Sequence, residues 1–121
     1  MPVAAAALAR AVGGPFWFRV RGRSMLPTLE GGDAVLIWPR SPRRIPVGAL
    51  VVADDPEDPG RTLVKRVRAV ADSGLVVCAD NHSEGRDSRH FGPIPPHRIR
   101  GQVLLVWSHS GTIRLPPLQR S

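Results

Sequence analysis

Thr62-Leu63-Val64-Lys65-Arg66-Val67-Arg68-Ala69-Val70 is the stretch that decides the fold. It is rich in β-branched residues and is flanked by turn formers: Asp54-Asp55-Pro56-Glu57-Asp58-Pro59-Gly60 before it and Asp72-Ser73-Gly74 after it. Such a run reads as a strand. Alternate side chains of a strand share a face. Leu63, Lys65, Val67 and Ala69 therefore fall on one side, and Val64, Arg66 and Arg68 on the other, which is expected to be the wetter one. Lys65 stands in the apolar register. It is also the sole lysine among 17 basic residues, the other 16 being arginine. Arginine keeps its proton in proteins, whereas a desolvated lysine can lose it. Two readings follow for Lys65: a neutral amine acting as a base, or an amine that snorkels from a strand edge to water.

The same punctuation recurs outward from this strand. Phe16–Arg21, Asp33–Trp38, Ala49–Ala53, Leu75–Ala79, Gln102–Trp107 and a short Thr112–Leu115 read as strands separated by turn-rich loops. Many short strands with little helix predict an all-β, mainly antiparallel domain. The loops 22–32 and 80–98 are long enough to carry function. Val3–Ala9 is apolar but is interrupted by Arg10 and closed by Gly13-Gly14-Pro15. That is too short for the ~20 residues of a membrane span, and no basic region precedes it as in a secretory signal. Residues 1–14 are expected to form a short helical segment that packs on the domain or touches a membrane surface. Residues 15–121 are expected to be one domain.

Composition narrows the chemistry. The net charge of +7 suits an anionic surface or an acidic partner. The three Phe, three Trp and absent Tyr supply poorly the aromatic platform of a nucleic-acid binder, so an arginine-rich binding module is the weaker, non-enzymatic alternative. One cysteine, Cys78, excludes an intrachain disulfide, and its apolar strand predicts a buried inert thiol. The four histidines lack metal-ligand spacing, and no metal or other cofactor is expected. These features are compatible with a cytoplasmic setting.

A lysine base needs a nucleophile. Ser24 lies in Gly22-Arg23-Ser24-Met25-Leu26-Pro27-Thr28-Leu29, a Gly/Pro loop. It reads as a turn serine or as a hydroxyl held on a stiff loop whose own N–H is placed to hold an oxyanion.

Ser24-Met25-Leu26-Pro27-Thr28-Leu29 with Gly32-Asp33 resembles the serine box of the type I signal peptidases. Val64-Lys65-Arg66-Val67 resembles their lysine box. Asp80-Asn81, Asp87-Ser88-Arg89 and Phe91-Gly92 resemble their third box, and Ile99-Arg100-Gly101-Gln102-Val103 the segment that closes it. The four segments occur in family order across residues 16–106. The resemblance implies a signal-peptidase-like coiled β-sheet or partly open barrel and a Ser–Lys dyad. Ser24 would then be the nucleophile and Lys65 the general base. It implies that Asp87 and Arg89 shape the site, and that Val20, Gly22, Met25, Leu29, Leu63 and Val64 border a groove for an extended peptide. Two departures are evident. Gly22 stands where many members carry a second oxyanion donor, and Gly85 where many carry a serine bonded to the lysine, for which Ser83 and Ser88 are the candidate substitutes. The partner implied is a precursor polypeptide with an N-terminal leader. An anchorless member resembles the maturation proteases of nickel-type superoxide dismutase. The alternatives are a peripheral signal peptidase acting on secretory preproteins and an autocleaving repressor-type Ser–Lys domain, for which 23 residues before Ser24 are few.

Overall fold

The computed structural model describes residues 14–118. Seven strands form one antiparallel sheet: β1 (Phe16–Arg19), β2 (Ala34–Trp38), β3 (Leu50–Asp55), β4 (Asp58–Ala71), β5 (Gly74–Cys78), β6 (Ile99–Trp107) and β7 (Ile113–Arg114). A short helix, α1 (Ser88–Phe91), and 3-10 turns at Pro42–Arg44 and Pro96–Arg98 complete the regular structure. The strand order is β1-β2-β6-β3-β4-β5, with β7 beside the end of β6. The order ends at β1 and β5 without closing, so the all-β expectation holds as an open sheet rather than a barrel. The expected helical segment 1–14 lies almost wholly outside the described residues.

All six residues of β3 are buried, because the strand is central and both of its faces are covered. Leu50 and Val52 point into one core cluster with Phe16, Val20, Met25, Leu29, Val35, Ile37, Val64, Val103 and Val106. Val51 and Ala53 point into a second, with Ile45, Ala49, Val67, Leu75, Val77 and Ile94. The period-2 alternation of one strand thus feeds two cores.

β4 is longer than the 62–70 reading, and its phase differs from the expected one. Leu63 to Val67 are all buried, and the register shifts between Val67 and Ala69, leaving Arg68 as the extra residue of a bulge. Ala69 therefore leaves the face of Lys65 and becomes exposed. Arg66, expected on the wet side, is 2 % exposed. Its guanidinium survives burial because every side of it is bonded. Nε and Nη2 donate to the two carboxylate oxygens of Asp80 at 3.0 and 2.6 Å, and Nη1 donates to the carbonyls of Gly48 and Pro117 at 2.8 and 2.6 Å. Bidentate geometry of this kind is the strong form of the ion pair. Cys78 also differs from expectation, being half-buried rather than enclosed.

The 80–98 loop is more ordered than its polar sequence suggested. Leu75 and Ile94 form a bridge that fastens it to β5, and Asp87 caps α1 by accepting from the Arg89 N–H.

Removing one member of the Arg66–Asp80 pair strands the other charge in the core. Arg66→Leu or Asp80→Asn is expected to lower the unfolding free energy by about 3–5 kcal/mol. The double variant Arg66→Met/Asp80→Leu should lose less than the two singles combined. Urea denaturation of the three proteins checks both statements.

Candidate active site

Three chain segments converge on Ser24. The first is its own loop, from Val20 to Asp33. Val20 N–H donates to the Asp33 carbonyl and Gly32 N–H to the Val20 carbonyl, at 2.7 and 2.9 Å, so the loop is closed at its base. Gly22 sits at φ +78 with open space where a Cβ would lie, so its left-handed backbone rather than crowding favours glycine there. The buried Asp33 carboxylate accepts from the Glu30 N–H and from the N–H of His109. Burial alone would raise its pKa, but these bonds and the His109 ring hold it below the usual carboxylate range.

The second segment follows β5. Asn81 N–H donates to the Ser24 carbonyl at 2.9 Å, and the Asn81 side-chain amide donates to the Arg23 carbonyl at 3.0 Å. Thr28 Oγ1 donates to Asp80, whose other oxygen holds Arg66. The serine loop is thereby tied to the residue next to Lys65. Sequence reasoning missed Thr28, Arg66 and Asn81 as supports, since each acts through a partner 14 to 58 residues away.

The third segment is β4. Lys65 is 3 % exposed, and its Nζ lies 2.8 Å from Ser24 Oγ. Among the described residues that hydroxyl is the hydrogen-bond partner of the amine. Loss of solvation is the main force on Lys65 and pushes its pKa from 10.5 down to about 8. Asp87 and Asp55 oppose the fall, while Arg61 and Arg86 assist it. No described group accepts from the Ser24 N–H, which leaves that donor available beside the hydroxyl.

The remaining expected residues are placed as follows. Asp87 is fully buried. It accepts from the Ala79 N–H at 2.9 Å and pairs with Arg89 Nε at 2.9 Å. Burial would raise its pKa, and these donors together bring it below the ordinary value. Arg89 also donates to the His82 carbonyl, so the pair closes the loop rather than reaching Ser24. Val20, Met25, Leu29 and Val64 are 5, 2, 1 and 6 % exposed and belong to the first core cluster, and Leu63 is 6 % exposed. The expected groove wall is thus mostly its buried backing. What β4 does offer is backbone: β5 pairs with it only from Arg66 onward, so on that side residues 58–65 have no strand partner among the described residues. Neither Ser83 nor Ser88 stands in for a serine at position 85. Ser83 Oγ donates to Asn81 and Ser88 Oγ accepts from the Val77 N–H. Among the described residues no group of His, Cys, Asp and Glu is arranged to hold a metal.

The backbone at Gly85 occupies the place of that serine. It has φ +85, and a Cβ there would lie 2.3 Å from Ser24 Cβ and 3.2 Å from Lys65 Nζ.

The serine loop and the buried lysine thus meet at 2.8 Å. The description "Signal peptidase, peptidase S26" matches residues 1–73, which include Ser24 and Lys65. The chain belongs to the peptidase S26, or signal peptidase, family. Among curated relatives, mitochondrial ATP-independent inner membrane protease subunit 1a of Arabidopsis thaliana is 34 % identical, over 78 % of this chain and 73 % of its own length. Mitochondrial inner membrane protease subunit 1 of Schizosaccharomyces pombe is 31 % identical, over 73 % of this chain and 71 % of its own length. The Homo sapiens protein of the same name is 29 % identical, over 79 % and 73 %. The S26 membership makes this chain a signal-peptidase-like protease acting on polypeptides. The third-box residues lie beyond the matched segment, and the bonds above are what connect them to it.

Two predictions concern this geometry. Gly85→Ser, which brings in the serine many S26 members carry, should fail to restore it here. The positive φ and the Cβ overlap are expected to destabilise the protein by about 1–3 kcal/mol and to part Ser24 from Lys65, read by denaturation and a variant crystal structure. Lys65→Met should stabilise the fold at pH 7 by about 3 kcal/mol, at 1.36 kcal/mol per pKa unit. The sign follows from a folded pKa near 8 lying below the unfolded 10.5. Burying the charged amine costs stability at pH values below 8, and the cost fades as pH rises toward 10.5. The advantage of the variant should disappear over that window in pH-dependent urea melts.

Proposed function

We propose that residues 15–121 form a single Ser–Lys endopeptidase domain that removes an N-terminal leader from a precursor protein. The observation that carries this reading is the 2.8 Å contact between Ser24 Oγ and a lysine amine that burial has brought to a pKa near 8. In the neutral amine the same separation lets the hydroxyl donate to Nζ, the arrangement a general base requires. Lys65 takes the hydroxyl proton as Ser24 Oγ attacks the scissile carbonyl. The Ser24 N–H receives the developing oxyanion. Lys65 then gives its proton to the leaving amine, and an acyl-enzyme remains. Water, deprotonated by the same amine, releases the acyl group and regenerates the serine.

An extended substrate is supported by the unpaired backbone edge of β4 at residues 58–65, beside which a peptide can lie as an added strand. Leu63 and Val64 contribute backbone there, while Val20, Met25 and Leu29 hold the wall from behind. Gly22, Asp87 and Arg89 shape the surrounding loops.

The narrower substrate proposed is the leader of a nickel-type superoxide dismutase precursor, which rests on sequence resemblance alone. The likeness to inner membrane protease subunits favours a second reading, the processing of precursors at a membrane. Among the described residues no helix is long and apolar enough to cross one.

The test is incubation with a dismutase precursor and, separately, with a vesicle-inserted preprotein, read by mass spectrometry. Leader removal from the dismutase precursor is expected. Cleavage of the second substrate alone would transfer the assignment to membrane processing, and cleavage of neither would overturn the peptidase reading. Ser24→Ala and Lys65→Arg should each lose about 10³-fold or more in rate, and the wild-type rate should climb through pH 8 as Lys65 deprotonates.

A further inference from the structure

Gly85 lies so near the Ser24–Lys65 pair that a Cβ on it would meet both members, yet glycine supplies no side chain to hold itself there. Its neighbours must hold it. On one side the Glu84 carboxylate makes a solvent-exposed pair with Arg23 at 3.7 Å, and the Glu84 N–H donates to the Asn81 carbonyl at 3.1 Å. On the other, Arg86 spans to the β3–β4 hairpin. Its Nη1 donates to Asp55 Oδ2 at 2.6 Å and its Nη2 to Glu57 Oε1 at 2.5 Å. Its guanidinium lies 5.6 Å from the centre of the Phe91 ring of α1. The Asp55 side chain is fully buried, and its second oxygen accepts from the Glu57 N–H.

We propose that Arg86 is a positioning residue for the Ser24–Lys65 pair: its ion pairs hold the Gly85 backbone against both side chains and cancel the buried Asp55 charge beside the lysine. This rests on the peptidase reading of the site and extends it. An Arg–Asp pair of zero net charge occupies the ground where a lone carboxylate would favour the protonated amine. The charged groups acting on Lys65 come from three elements: Arg61 on β4, Asp55 on β3, and Arg86 and Asp87 on the loop before α1. Asp87 is the strongest charge acting on the lysine and pairs with Arg89 at 2.9 Å, whereas the Arg86–Asp55 pair sets one charge of each sign against it, so a single substitution there can tip the balance in either direction.

The chain offers a direct readout, since Lys65 is its sole lysine. Biosynthetic labelling with isotopic lysine gives one side-chain signal in nuclear magnetic resonance, and its titration needs no substrate. The wild-type midpoint is expected near 8. Arg86→Gln should raise it by about one pH unit and Asp55→Asn should lower it, the scale of one charge acting at a partly desolvated distance. The double variant should return near the wild-type value. Glu57→Gln, which loosens Arg86 from an exposed position, should raise it by less.

A merely structural Arg86 would lower stability and leave the lysine midpoint in place, or would move it the same way in Arg86→Gln and Asp55→Asn. Either result overturns the proposal, and an unchanged midpoint in Arg86→Gln or Glu57→Gln suffices alone should Asp55→Asn not fold. Precursor cleavage by the wild type is scored separately. Its absence counts against the peptidase reading, while a stationary lysine counts against Arg86.

Discussion

The buried ion pair between Arg66 and Asp80 is the constraint from which the site takes its shape. Both side chains are nearly excluded from water, at 2 and 4 % exposure. Desolvating two charges is expensive, and only complete bonding offsets it. That demand fixes more than the pair itself. Arg66 is the residue after Lys65, so holding its guanidinium sets the rotation of β4 at the lysine. Asp80 precedes Asn81, whose bonds to Ser24 and Arg23 set the serine loop. Thr28, at the far end of that loop, donates to the same carboxylate. One salt bridge therefore relates the positions of Ser24 and Lys65, which lie 41 residues apart.

The second constraint works against stability. A lysine in the apolar register of a strand, with a single hydroxyl partner, burdens the fold at neutral pH. The two cores on either side of the sheet carry that cost. β3, buried over its whole length, gives β4 a rigid neighbour, with Val51 directly opposite Lys65. Strain of this kind, stored at one residue and offset by extensive burial elsewhere, is what a functional site asks of a scaffold.

The third is the close approach at Gly85. Many S26 members place a serine side chain where this chain brings backbone. The loop lies close to the pair at this point, and a Cβ on Gly85 does not fit. The loop is attached through charged pairs: Arg86 to Asp55 and Glu57, and Asp87 to Arg89. The similar proteins of Arabidopsis thaliana and Homo sapiens are named as inner membrane protease subunits, and in the proposed reading the β4 edge and the Ser24 loop are the surfaces that meet the polypeptide.

Much of this was legible in the residues. Turn punctuation and β-branched runs located the strands to within a few positions, since those signals are local. The box motifs picked out Ser24 and Lys65, and strand phase placed the lysine among apolar neighbours. The burial of Arg66 was not legible. Alternation assigns a side chain to a face, but whether that face is wet depends on what later chain covers it, here Pro117 and the Asp80 loop. The bulge at Arg68 escaped for the same reason, since register belongs to a pair of strands and not to one. The residues thus determined by themselves which side chains could do the chemistry, because an amine and a hydroxyl are properties of composition. Only the tertiary structure decided that they meet at 2.8 Å, that burial brings the amine to a pKa near 8, and that backbone rather than a serine fills position 85. Those are distances and solvation, and both arise when segments remote in the chain exclude water together.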